Sequence, residues 1–132
     1  MKIIDGENAV MGRLASYVAK QALQGEEISI VNCNKVLITG NKKFIENKFY
    51  ERRQRVGSTQ KGPKISRVSY QIVKRCIKGM LPNHRGGRGK IALGKIKCYD
   101  KIPKELENKK MIKAGKEKGT KFIYVESITK KK

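Results

Sequence analysis

The 132-residue chain has no tryptophan, one histidine (His84), three cysteines (Cys33, Cys76 and Cys98) and 11 acidic residues against 32 Lys and Arg. The cysteines are far apart and odd in number, which argues against a disulfide framework and for reduced, buried thiols in a cytoplasmic protein. None has a second cysteine or a histidine at ligand spacing, so a zinc site of paired Cys and His lacks its ligands. No apolar run approaches the ~18 residues that would span a bilayer. The opening MKIIDGENAV is too acidic, and its apolar stretch too short, for a secretory leader. Phe44 and Phe49 suit a core face, and no aromatic cluster resembles a platform for stacking unpaired bases.

What the chain has is positive charge, and that charge is segregated. Residues 1–40 hold four bases and four acids, whereas residues 41–97 hold 17 bases and only Glu46 and Glu51 as acids, a net of +15. Residues 98–132 hold 11 bases and five acids, a net of +6. A solubility device does not need such segregation; a face that binds a polyanion does. Hydrophobic residues make up 38% of the chain, enough for one domain with a modest core.

The pattern predicts an α/β fold. Lys2–Asp5 reads as a strand ended by Gly6. Over Met11–Leu23 apolar residues recur at helical spacing, and Gly25 stops the helix. Ile28–Val31 suits a strand covered on both faces, completing a βαβ unit with parallel strands. Val36–Thr39 is a third short β-like run, and residues 42–54 look helical with a less clean pattern. Residues 57–66 read as a loop. Residues 67–79 form the clearest two-sided helix, with Ile72, Val73, Cys76, Ile77 and Met80 in one arc and Arg67, Gln71, Lys74, Arg75 and Lys78 in the other. A Gly- and Arg-rich loop follows. Ile96 and Cys98 then alternate with Lys95, Lys97 and Tyr99 as in a half-buried strand, and β pattern recovers at Phe122–Val125.

Two features carry binding chemistry. Asn83–Lys90 sets His84, Arg85, Arg88 and Lys90 among three glycines, which let backbone approach phosphate closely while Arg supplies bidentate donors. The arc of Arg67, Lys74, Arg75 and Lys78 has no acid at i+3 or i+4 to neutralise it. Lys42, Lys43, Lys48, Arg52, Arg53, Arg55, Lys61, Lys64 and Lys95 complete the expected RNA-binding set. Catalysis finds no support: His84 has no identifiable partner. Gly89–Lys90, Gly94–Lys95 and Gly115–Lys116 lack the Ser or Thr of a phosphate-binding loop, and Gly6 to Gly12 lacks the dinucleotide fingerprint. Backbone and shape recognition of structured nucleic acid is the expectation. A small nucleic-acid-processing enzyme would need clustered carboxylates or a Cys/His pair; an RNA-binding regulator is a third reading.

Asp5–Gly6, Gly12–Arg13–Leu14–Ala15–Ser16, Val31–Asn32 and Thr39–Gly40–Asn41 stand in this order. Lys61–Gly62–Pro63, Gly79–Met80–Leu81–Pro82, Arg88–Gly89 and Lys95–Ile96–Lys97–Cys98–Tyr99 follow. Over residues 2–103 this order resembles the ribosomal protein thirteen family of the large subunit, its archaeal branch in particular. The resemblance implies a three-layer α/β/α fold around a short, mainly parallel sheet, with an rRNA-binding domain over 1–103 and a Lys-rich extension over 104–132. It implies a non-enzymatic constituent of the large subunit in the cytoplasm that binds 23S-like rRNA beside neighbouring ribosomal proteins. No cofactor, metal, membrane, small-molecule substrate or second copy of the chain is expected. By position, Arg85, Arg88, Lys90 and the bases near 52–55 and 61–67 would face rRNA. Lys61 stands where many relatives carry Arg, and the similarity fades beyond Pro103.

Overall fold

The structure, a computed structural model, describes residues 1–55, 65–115 and 121–130. Strand β1 (Lys2–Asp5), helix α1 (Met11–Leu23) and strand β2 (Ile28–Val31) form the expected unit, with β1 and β2 parallel and Lys2 opposite Ile28. Strand β4 (Ile96–Cys98) joins β2 in parallel, and β5 (Ile112–Lys113) joins the free side of β1. The central sheet therefore runs β4-β2-β1-β5, all parallel. Helices α2 (Lys42–Gln54), α3 (Ser69–Met80) and α4 (Gly87–Gly94) occupy the chain between Thr39 and β4.

Side-chain alternation along the strands makes the layers. Ile4, Ile28, Ile30 and Ile96 face one way and meet Leu14, Ala15, Val18 and Ala19 of α1 and Ile72, Val73 and Ile77 of α3, all buried. The alanines of α1 allow close approach, and α1 packs against α3 more extensively than any other pair of elements. Ile3 and Val31 face the other way, under Leu106 and the partly buried Tyr99, Ile102 and Met111. This third layer is thin, with a single 3-10 turn at Lys104–Leu106. Val73→Ala should remove about 2 kcal/mol of stability through lost burial and a residual cavity. Urea denaturation checks this, and an unmoved midpoint would contradict the α3 core face.

Four local expectations change. The third β-like run, β3 (Leu37–Thr39), leaves the parallel sheet and pairs antiparallel with β6 (Phe122–Tyr124). Asn32, at φ 57°, and the 3-10 turn Cys33–Lys35 swing the chain away after β2. Helix α5 (Val125–Lys130) begins straight after β6 and buries Val125 and Ile128. At the end of α3, Met80 is 43% exposed, because the extended Leu81 takes the inward place. Phe44 is 65% exposed on α2, where only Ile45 is buried.

The residues that carry the family resemblance at the N-terminus have structural roles. Asp5, nearly buried, accepts hydrogen bonds on Oδ1 from Asn32 Nδ2 (2.9 Å) and the Glu7 amide (3.0 Å). At Gly6 a Cβ would meet Val36 Cγ2 at 2.9 Å and the Val31 carbonyl at 3.0 Å, so glycine lets the turn lie against β2.

Candidate nucleic-acid interface

The Gly- and Arg-rich segment is only half a loop. Asn83 (φ 40°) and Gly87 (φ 64°) take left-handed conformations and make a tight turn. From Gly87 the chain becomes α4, with Arg88 and Lys90 exposed in its first turns. Its glycines give it little intrinsic helix preference. The helix is held by Ala92, buried in the core, and Gly89 lets it seat against the Pro82 carbonyl, where any Cβ would lie 1.7 Å from the oxygen.

That turn stands beside the polar side of α3. The first turn of α3 is capped from 30 residues away, the Tyr70 amide donating to Asp100 Oδ1 at 2.9 Å. Lys74, Arg75 and Lys78 of α3 line one side of a cleft of about 660 Å³, with Ser66, Gln71 and Gly79; His84, Arg85 and Leu93 line the other. Among the described residues no acid lines it. Lys74, Lys78 and Arg85 have no carboxylate within ion-pair distance among the described residues. By contrast, in the near-neutral N-terminal part Lys35 pairs with Glu7 at 2.9 Å and Lys2 with Glu26 at 3.8 Å.

A smaller groove of about 280 Å³ continues the cleft, sharing Ser66, Gln71, Arg75 and Gly79 and adding Met11, Phe49, Arg52, Ile65, Ile72 and Cys76. Arg52 is thus brought next to the α3 arc. Arg67 is exposed just before α3, and Lys42, Lys43, Lys48 and Arg55 are exposed on α2 or directly after it. Lys95 is drawn elsewhere, donating from Nζ to the Gly25 carbonyl at 3.2 Å. Arg53 also turns inward. Its Nη1 donates to the Ile128 carbonyl at 3.3 Å, while Nε and Nη2 are buried without a hydrogen-bond partner among the described residues. Burial, and then the charge of Arg67, lower its guanidinium pKa. Lys61 and Lys64 lie outside the described residues.

The charge of Lys74 also acts on the partly buried Cys98, which is hydrogen-bonded to the buried Cys33. Cys33 is pushed far up by its hydrogen bond with Cys98 and by burial; Cys98 is lowered by the same bond and by the charge of Lys74. Iodoacetamide should therefore modify Cys98 before Cys33, with Lys74→Gln slowing that reaction; peptide mapping showing Cys33 labelled first would contradict it.

Sequence reasoning placed Gln71 on the polar arc but did not find Ser66 and Leu93 as cleft residues, since nothing in their local pattern marks them. It also did not foresee the exposed pair Phe122 and Tyr124, which stand edge to face with centroids 5.7 Å apart. Their i, i+2 spacing on an outward strand face was the available signal. Among the described residues no three His, Cys, Asp or Glu side chains gather where they could hold a metal ion, and no helix is long and apolar enough to cross a membrane.

The sequence profile of Ribosomal protein L13 matches residues 1–105. The chain belongs to the ribosomal protein L13 family. This is a family of structural ribosomal components rather than enzymes. Three curated relatives, each named large ribosomal subunit protein uL13, show the extent of the likeness. The one from Thermoplasma volcanium is 48% identical over 86% of this chain and 82% of its own. That from Picrophilus torridus is 44% identical over 98% of this chain and 95% of its own. That from Methanocaldococcus jannaschii is 41% identical over 98% and 96% respectively. The latter two alignments include the segment beyond Pro103, which in this L13 family member supplies β5, β6 and α5.

Proposed function

We propose that this chain is a structural constituent of the large ribosomal subunit, on ribosomes in the cytoplasm, and that it binds large-subunit rRNA during assembly through its cationic cleft. The observation that carries the reading is the meeting of the α3 arc with the His84–Arg85 turn in a concave surface that contains no acid among the described residues. Clustered Lys and Arg facing outward lower the cost of approach for a phosphate backbone and release its counterions. Arg85 adds the planar fork that fits phosphate oxygens, and Lys74 and Lys78 act as point charges. Arg52, Arg67, Arg88 and Lys90 extend the positive surface around the cleft, while Arg53 and Lys95 mainly brace the protein. Family membership and the names of the relatives support the same assignment.

The tagged protein should sediment with the large subunit from cell extracts and leave that position after RNase treatment. Migration as a monomer at low salt before RNase would refute the assignment. With ~6–10 phosphate contacts, affinity of the free protein for its rRNA should fall by about three to five decades between 50 and 200 mM salt. A binding constant that barely moves over that range would exclude a phosphate-held complex.

A further inference from the structure

The opposite face of the sheet carries a second cationic surface that the charge pattern did not single out. In β4, Ile96 and Cys98 turn toward the helices, so Lys97 emerges on the other side, opposite Ser29 of β2. There a cleft of about 610 Å³ is lined by Lys97, Lys104 and Lys109 together with Ser29, Tyr99 and Glu105. All three lysines are exposed, and none has a carboxylate within ion-pair distance among the described residues, although Glu105 is in the wall. Lys101 and Lys110 are exposed nearby in sequence and add to the charge, which the exposed Glu107 offsets in part.

We infer that this far face is a second RNA-backbone site, centred on Lys97, Lys104 and Lys109, so that the chain joins two RNA segments across its sheet. The inference rests on the near cleft being an rRNA site. Lysine is depleted from protein–protein interfaces, whereas it is a ready point-charge partner for phosphate. Strand β4 lies between the two clefts, with Lys97 leaving it on the far face while Cys98, on which the charge of Lys74 acts, turns to the helices. The two surfaces therefore open on different faces of the sheet, and each can take its own length of backbone. Segregating the charge onto two faces gives the chain two separately weighted contacts.

The test uses the full chain, a short biotinylated RNA duplex on a surface and a second, fluorescent duplex in solution. The parent protein should bind the first and recruit the second. Lys97→Gln/Lys104→Gln/Lys109→Gln should still bind the immobilised duplex but lose affinity for the second by roughly 500-fold at ~0.1 M salt. An unchanged melting curve should accompany it, since all three side chains are exposed. Recruitment equal to the parent's would overturn the second site and leave the far face for a protein neighbour. Failure of the parent to bind even the immobilised duplex would instead overturn the rRNA reading beneath it.

Discussion

Replacing Lys74, Lys78 and Arg85 together with glutamine is expected to weaken RNA binding about 500-fold at ~0.1 M salt. Each phosphate contact on a duplex contributes ~0.9 decade at that salt through counterion release, so three contacts remove ~2.7 decades. The same arithmetic makes the plot of log affinity against log salt shallower by ~2.7. Two elements supply these side chains, α3 and the turn before α4, and both line the one cleft. Folding should be little affected. Lys78 and Arg85 are exposed, and glutamine keeps most of the stem of the half-buried Lys74. Electrophoretic mobility shift across a salt series measures both quantities. A loss below tenfold with an unaltered slope would show that the cleft is not where phosphate is held.

Gly89→Ala should destabilise the fold by about 4 kcal/mol, at the upper end for overpacking and strain. The sign is the informative part. At an unhindered helix position Ala is favoured over Gly by ~1 kcal/mol, and Gly12, where a Cβ meets nothing within 4 Å, is such a position. At Gly89 the added carbon would sit 1.7 Å from the Pro82 carbonyl oxygen and 2.8 Å from its carbon. Backbone must therefore move, and the whole start of α4 lifts from the Pro82–Asn83 turn. Gly12→Ala and Gly89→Ala should shift the denaturation midpoint in opposite directions. Because that turn also presents His84 and Arg85, Gly89→Ala should lose RNA affinity even where the protein remains folded. Equal midpoints for the two variants would remove the seating of α4 as an explanation for the helix.

The βαβ unit was readable because local signals and tertiary need agree over it. Lys2–Asp5, Met11–Leu23 and Ile28–Val31 coincide with β1, α1 and β2, each apolar period being also the period of burial. The buried side of α3 was readable for the same reason at Ile72, Val73 and Ile77, and failed at Met80, where Leu81 competes for the same space. Helix α4 was not readable. Three glycines and two cations in eight residues give it no apolar stripe, and what holds it, the burial of Ala92 in the shared core and the close seat of Gly89 on Pro82, is tertiary. The partner of β3 was equally hidden, since β6 arrives from more than 80 residues away. The cap of α3 by Asp100 belongs to the same class of long-range supply.

Charge behaves likewise. That the middle of the chain carries +15 and two acids is a property of covalent order, as is the scarcity of cysteine, histidine and carboxylate there. From these follow the basic character and the want of local catalytic groupings, as the α/β class follows from the apolar periods. Which cations act together is a different matter. Arg52, Arg53 and Arg55 are near neighbours in sequence, yet Arg52 joins the groove beside α3, Arg53 turns in to the Ile128 carbonyl and Arg55 stays on the surface. Lys97 reads as one more base of the middle segment but emerges on the opposite face of the sheet. The physical reason is range. Helical and strand periods act over a few residues, so they are written locally. A charged face is assembled from side chains whose positions depend on how sheet and helices close over a shared core.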